Sequence, residues 1–296
     1  MKRTLAIILA IVIAAATLFA FSSCGETTKV DISNAKSLAD LKGAKIAAQS
    51  GTFHADALEQ IEGATTSTYP EFADLLIALK SGAIDGYIAE EPTALAITLE
   101  DNTLGYVHLQ NNTTGFTATD ADVAIAVGVA KNSPLAAQIN TALATIPAAT
   151  RAALMENMVA LSAGENVTSL ALTIPETTGE PVGTIKVAME CAYEPFNWTD
   201  LKTPSLGAVP IYDETGAVKA GQYANGYDVQ IAAYVAAYLN MKLEVYAIDW
   251  ESLIPAVQAG TVDAIVAGMS PTEERSQQIT FSDVYYTSNL VVIYKK

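Results

Sequence analysis

The sequence predicts an α/β fold of two similar lobes, and three observations carry the prediction. The first is an internal echo. Leu75–Ala89 (LLIALKSGAIDGYIA) runs parallel to Leu253–Ala267 (LIPAVQAGTVDAIVA), pairing Gly82 with Gly260 and Asp85 with Asp263 at one constant offset. Each copy has apolar residues at helical spacing, a glycine suited to the left-handed position after a helix, and then the apolar run of a buried strand. The second is the segment upstream of each copy. Ala44–Ala48 reads as a strand entering Gln49-Ser50-Gly51-Thr52, and Ile185–Met189 as a strand entering Glu190-Cys191-Ala192-Tyr193. Strands that alternate with helices build largely parallel sheets. The third is composition: 51% hydrophobic and 16% charged residues supply a core and exclude disorder.

The elements follow in order. Lys2 and Arg3 precede an uncharged apolar run from Leu5 to Phe21, so residues 1–23 read as a secretory signal outside the fold. A signal anchor left uncleaved is the other reading. Residues 24–30 form a polar tether. Ser133–Ala160 is rich in Ala and Leu and predicts helix, with Ser133 as cap, Pro134 at the first helical position and Pro147 as the interruption. Ala163–Gly183, with Pro175 and Pro181, reads as a linker. Thr203–Asn225 predicts a surface loop or hairpin. Asp228 is the candidate cap of a helix that places Ile231, Val235 and Tyr238 on one face before Asn240.

Composition also excludes classes of function. The 16 Lys+Arg against 32 Asp+Glu give a net charge of −16, which opposes nucleic-acid binding. Without the leader, 14 against 32 gives −18, so attraction to anionic lipid would not hold this chain at a membrane. Two cysteines, Cys24 and Cys191, and two histidines, His54 and His108, leave no set for a metal centre or disulfide framework. No cofactor motif and no nucleophile–His–acid set occurs.

The chain resembles the polar-amino-acid solute-binding proteins of ABC importers (solute-binding protein family 3). The residues that carry this are Tyr193-Glu194-Pro195-Phe196, Gly226-Tyr227-Asp228, Asp249-Trp250, Gly268-Met269-Ser270-Pro271-Thr272-Glu273-Glu274-Arg275 and Phe281-Ser282-Asp283-Val284-Tyr285-Tyr286. Ser37–Gly43, Gln49-Ser50-Gly51-Thr52 and Asp85–Pro92 extend it, and together they cover most of 31–160 and 183–296. The resemblance implies a two-lobed type II periplasmic-binding-protein-like fold, closed by a hinge. In that family the Tyr-x-Pro-Phe half comes first; here it comes second, so the chain looks circularly permuted, with the family's usual termini joined through residues 163–182. A fragment of a tandem protein is the alternative. Carried over, 31–118 is lobe 2, and 119–162 with 183–296 is lobe 1. One hinge crossing, near Thr119–Val123, stays covalent, whereas the other is split between Asn289–Tyr294 and the start of the body near Asp31, which implies a compliant hinge. Phe21-Ser22-Ser23-Cys24-Gly25 resembles a lipobox, with Cys24 as lipid anchor outside the cytoplasmic membrane.

The resemblance also implies a site. Arg275 takes the α-carboxylate of a free amino acid, because a guanidinium fork matches a carboxylate. Glu90 takes the ammonium. Thr52 and the backbone N–H of Phe53 meet the carboxylate from lobe 2, and Ser270 serves both groups beside the Gly268 turn. Tyr193 and Trp250 face each other across the ligand side chain, and Glu190 reaches its distal end, favouring arginine, lysine, ornithine or glutamine. His54 reads as a surface residue or one behind the ligand contacts, and Cys191 as a buried thiol beside the pocket. The implied partner is an ABC-transporter permease that reads the closed form of a monomer. Two other functions stay open: a dehydratase-like enzyme on this fold, using Glu190 or Glu90 as base, and a sensor or interaction module without a ligand.

Overall fold

Two sheets carry the chain, each assembled on the same plan. The computed structural model describes residues 30–177 and 179–296. The leader, the tether up to residue 29 and the lipid-anchor expectation at Cys24 lie outside the described residues.

The first sheet contains β1 (Lys45–Gln49), β2 (Thr65–Tyr69), β3 (Gly86–Glu90), β4 (Leu104–His108) and a strand from the far end of the chain, Leu290–Lys295, in the order β2-β1-β3-(290–295)-β4. β1 runs parallel to β2 and β3, and 290–295 inserts antiparallel between β3 and β4. β1 and β3 are short apolar runs buried along nearly their whole length, as central parallel strands require.

The second sheet has nine strands. Its centre uses β5 (Ala124–Val129), β6 (Thr184–Met189), β11 (Lys242–Ala247), β12 (Ala264–Ile265) and β13 (Thr280–Thr287), ordered β11-β6-β12-β5-β13. β6 lies parallel between β11 and β12, and β5 inserts antiparallel beside β12 and β13. That is the first sheet's plan again. Four strands extend the edge beyond β11: β7 (Ala192–Tyr193), β8 (Asn197–Leu201), β9 (Val209–Tyr212) and β10 (Val218–Asn225). The predicted hairpin at 203–225 is β9 and β10.

The inserted strands are where the chain crosses between sheets. Residues 109–123 lead from β4 to β5, and Ser288-Asn289 lead from β13 into Leu290–Lys295, which is β14. Two sequence expectations are corrected here. Residues 290–295 belong to the 31–109 sheet and not to lobe 1, and the second crossing is as continuous as the first. The split-hinge expectation therefore loses its basis. Leu290-Val291-Val292-Ile293 is buried against both neighbours, and an apolar run of that kind fits either sheet equally well by pattern.

The echo is a repeated local device. α2 (Phe72–Ser81) ends on Gly82 at φ 79, and α7 (Leu253–Gln258) runs out through Gly260 at φ 70. Asp85 Oδ2 then accepts from Lys45 N (2.9 Å) and Asp263 Oδ2 from Lys186 N (2.8 Å), which pins each helix–strand turn to the start of the central strand. The Ala/Leu-rich stretch forms α4 (Leu135–Leu143) and α5 (Ala148–Ser162), broken at Pro147 as predicted. Pro134, not Ser133, holds the cap position, although Ser133 Oγ still accepts from Leu135 N at 3.3 Å.

α6 (Tyr227–Tyr238) is capped by Gly226, not Asp228. Asp228 is buried instead, accepting from Tyr285 Oη (2.6 Å) and Asn197 Nδ2 (2.8 Å). Burial pushes its carboxyl up to about 7 against those hydrogen bonds. The remaining helices are α1 (Phe53–Ala57), α3 (Glu91–Glu100) and α8 (Glu273–Gln278). Asp31–Lys296 clusters as one compact unit. No helix among the described residues is long and apolar enough to cross a membrane.

Candidate functional site

The carboxyl ends of the central parallel strands point at one another across the two sheets. β1 delivers Gln49 and, after a tight turn, Thr52; β3 ends in Glu90. Opposite them, β6 delivers Glu190 and Tyr193, and β12 leads into Gly268, Ser270 and the short α8 that carries Arg275. Loops at these strand ends are where α/β sheets place ligands. They border one cavity lined by Gln49, Thr52, Phe53, His54, Phe72 and Glu90 from one side, and by Tyr193, Trp250, Ala267, Gly268, Ser270 and Arg275 from the other. As it stands that space holds little more than a water molecule (about 20 Å³), so a larger ligand needs the two walls to part.

Arg275 is buried because Thr272 caps its helix and turns the side chain inward. Its Nη1 donates to Ser270 O (3.0 Å) and its Nη2 to Gly51 O of the facing sheet (2.9 Å). The guanidinium lies over the Trp250 ring at 5.1 Å, and Trp250 Nε1 shares the Gly51 carbonyl at 3.1 Å. Desolvation lowers the pKa of Arg275, an effect opposed by Asp56, Glu274 and Glu90. Two of its five N–H groups are spent on these carbonyls, so a fork remains for a carboxylate.

Glu90 faces the same space. His54 Nε2 lies 3.1 Å from Glu90 Oε1, and Glu90 Oε2 has no partner among the described residues. Its neighbour Glu91 turns away, held by Asn289 Nδ2 (3.1 Å) at the crossing strand. Ser270 Oγ donates to Asp122 O (2.8 Å), tying the Gly268 turn to the other crossing and leaving its lone pairs to accept. Gly268 has φ +62, and a Cβ there would meet the Tyr193 ring at 3.3 Å.

Three expected roles change in the structure. Thr52 caps α1: its hydroxyl donates to Gln49 O (2.7 Å) and accepts from Ala55 N, so it has no proton left for a carboxylate. Tyr193 does not face Trp250 across open space. Its ring is stacked on Phe72 from the other sheet (4.0 Å, 13°) and on Phe196 (5.2 Å, 20°), so both faces are covered while its hydroxyl is buried without a partner. Glu190 does not line the cavity: its Oε1 accepts from Gln49 Nε2 (2.8 Å) across the gap between sheets. Burial pushes that carboxyl up to about 7, with the Gln49 bond opposing. Arg275, Glu90, Ser270, Gly268, Trp250, Phe53 and Thr52 do converge on the cavity, and Cys191 is a buried free thiol pushed up to about 12 by desolvation.

Sequence reasoning gave Gln49 and Phe72 no place in the cavity, and set His54 on the surface or behind the ligand contacts. Gln49 was legible as the last residue before the Ser-Gly-Thr turn. His54 is buried rather than on the surface, and Phe72, two residues past Pro70, carries no sequence signal beyond its apolarity. Outside the cavity a wider, open recess of about 470 Å³ shares Thr52, Phe53, Trp250 and Arg275 and adds Asp56, Asp122, Glu251 and Glu274. An acidic mouth of that kind draws cations towards the opening. No group of three or more possible metal ligands occurs among the described residues.

Residues 205–296 match the family model of the bacterial extracellular solute-binding proteins, family 3. The arginine-binding extracellular protein ArtP of Bacillus subtilis (strain 168) is 42% identical over 78 residues, 26% of this chain and 31% of that protein. The ABC transporter glutamine-binding protein GlnH of the same organism is 36% identical over 99 residues, 32% of this chain and 31% of its own length. A solved ancestral arginine-binding protein bound to arginine is 34% identical over 35% of this chain and 38% of its own, with a TM-score of 0.26. The chain spans about a third of the length of the curated relatives it matches.

Proposed function

We propose, from the match of residues 205–296 to the bacterial extracellular solute-binding proteins of family 3, that the chain captures a free amino acid for an ABC importer. The observation that carries this is that Arg275 and Glu90, on opposite sheets, line one cavity. A zwitterion presents a carboxylate and an ammonium a few bonds apart. Burying either charge unpaired costs several kcal/mol, and these two side chains neutralise both. Relatives named for arginine and for glutamine favour a polar or cationic side chain, and the acidic mouth favours a cation.

The remaining contacts fit a hinged clamp. Gly51, Gln49 and Phe72 touch Arg275, Glu190 and Tyr193 from the facing sheet, so a ligand's shell is complete only when the two sheets approach. Closure of this kind is among the domain motions known for periplasmic binding proteins, and the closed form is what a permease would read. In this reading the protein is a monomer tethered outside the cytoplasmic membrane through Cys24, and its order is that of a circular permutant joined through 163–182. The enzymatic alternative loses one of its two candidate bases, because Glu190 is tied to Gln49 and stands outside the cavity wall, and rests on Glu90 alone.

The test is a thermal-shift screen of the full chain against the twenty amino acids, ornithine and citrulline. A ligand of the folded state at about 100 times its Kd adds about 2.7 kcal/mol. A rise in Tm for one polar or cationic amino acid is the expected outcome. Turnover of a small carboxylate, or no shift from any amino acid, overturns the proposal.

A further inference from the structure

The geometry points to His54 as the residue that makes the cavity select an α-amino acid over the same acid lacking its amino group. This rests on the amino-acid reading of the cavity and adds a specificity-determining residue to it. His54 sits in the first turn of α1, 6% exposed, with Nε2 at 3.1 Å from Glu90 Oε1. Against an ionised carboxylate that nitrogen carries the hydrogen, which leaves Nδ1 as an acceptor. Neither Nδ1 nor Glu90 Oε2 has a partner among the described residues. His54 thus occupies one oxygen of Glu90 and orients the other for an ammonium.

The charges of the wall explain the selection. Arg275 and Glu90 cancel, and a zwitterion entering between them keeps the balance. Without a donor at His54 the buried Oε1 of Glu90 is left unpaired and its other oxygen loses the direction that meets an ammonium, so the advantage of the amino acid shrinks. Besides Glu90 from β3, the Phe72 ring of α2 packs against the imidazole at 5.8 Å (76° between planes), and Arg275 and Tyr193 line the same cavity. Asp56, on its own helix, lines the outer recess instead.

Isothermal titration calorimetry of the full chain tests this with L-arginine and L-glutamine, each paired with its des-amino acid (5-guanidinopentanoic acid and glutaramic acid). The parent's preference for the amino acid is expected to be at least about tenfold, as one added charge-assisted hydrogen bond allows. His54→Ala should cut that preference severalfold by weakening the amino acid and not the des-amino acid, and His54→Gln, whose amide still donates to Glu90, should restore it; His108→Gln, at the exposed histidine of β4, should leave it unchanged. An unchanged preference in His54→Ala, or an equal loss for both members of each pair, overturns the role of His54; where the alanine variant does not fold, His54→Leu against His54→Gln decides in the same way. Absence of binding by any amino acid overturns the reading of the cavity, and this inference with it.

Discussion

The loops after β1 and β6 leave equivalent positions of two sheets built on one plan, yet they end in different chemistry. Lys45, first in β1, and Lys186, third in β6, hold the same aspartate clamp, so Gln49 and Glu190 occupy matching places four residues on. They meet each other across the gap at 2.8 Å. Beyond them the loops diverge. The β1 loop tightens through Gly51 into the five-residue α1, which sets His54 beside Glu90. The β6 loop opens into β7–β10 and brings Tyr193 and Phe196, while Arg275 arrives from α8. One half therefore supplies the carboxylate and the imidazole with Phe53 and Phe72, and the other the guanidinium with Tyr193 and Trp250. The repeated frame aims both walls at one space; the departures from repetition give that space opposite charges.

Removing the cation from its wall should break this comparison most severely. Arg275→Ala leaves a ligand carboxylate buried without its partner and also cuts the cross-sheet bond to Gly51. A loss of roughly 2–5 kcal/mol in amino-acid affinity is expected by calorimetry. Near-parental affinity would place the carboxylate site elsewhere and leave Arg275 as a structural link between sheets.

The frame was legible in the sequence where a local rule had only one reading. Gly82 and Gly260 followed by Asp85 and Asp263 predicted two copies of one helix–strand turn, and the structure builds both with the same clamp. The destination of Leu290–Tyr294 was not legible, since an apolar strand suits either sheet until its neighbours are known. Within the site, charged groups were easier to place than aromatic ones. Buried Arg and Glu need partners, which makes them conspicuous, whereas Phe72 is one apolar residue among many and its stacking on Tyr193 depends on how the sheets approach. Thr52 and Asp228 were misjudged for a related reason. Both polar groups satisfy the protein itself, one as a helix cap and the other as an acceptor in the core.

The Gln49–Glu190 pair, where the two halves meet at matching positions, should respond to pH. Glu190 has an ordinary pKa of 4.5 and is pushed up to about 7 in the folded protein. The native state therefore holds this proton more tightly, so its contribution to stability is present below about pH 4.5 and is lost as pH rises to about 7. Glu190→Gln keeps an oxygen for Gln49 and has no proton to lose. It should match the parent near pH 4.5 and exceed it near pH 8 by on the order of 1–3 kcal/mol in thermal melts. Asp228 imposes a slope of the same sign on both proteins and cancels in the difference. An equal difference at both pH values would mean that the carboxyl does not titrate across this range.

The smallest effect sharpens the comparison most cleanly, because it asks whether the two halves are energetically as well as geometrically alike. Gly82 (φ 79) and Gly260 (φ 70) share the left-handed conformation, and a Cβ at either would meet nothing within 4 Å. Steric clash with neighbours is therefore absent at both, and only backbone strain separates alanine from glycine. Gly82→Ala and Gly260→Ala should each cost about 1 kcal/mol in urea unfolding, equal to within a few tenths. A much larger cost at one site would locate strain that the shared turn hides, and would show that the echo repeats the chain's path without repeating its energetics.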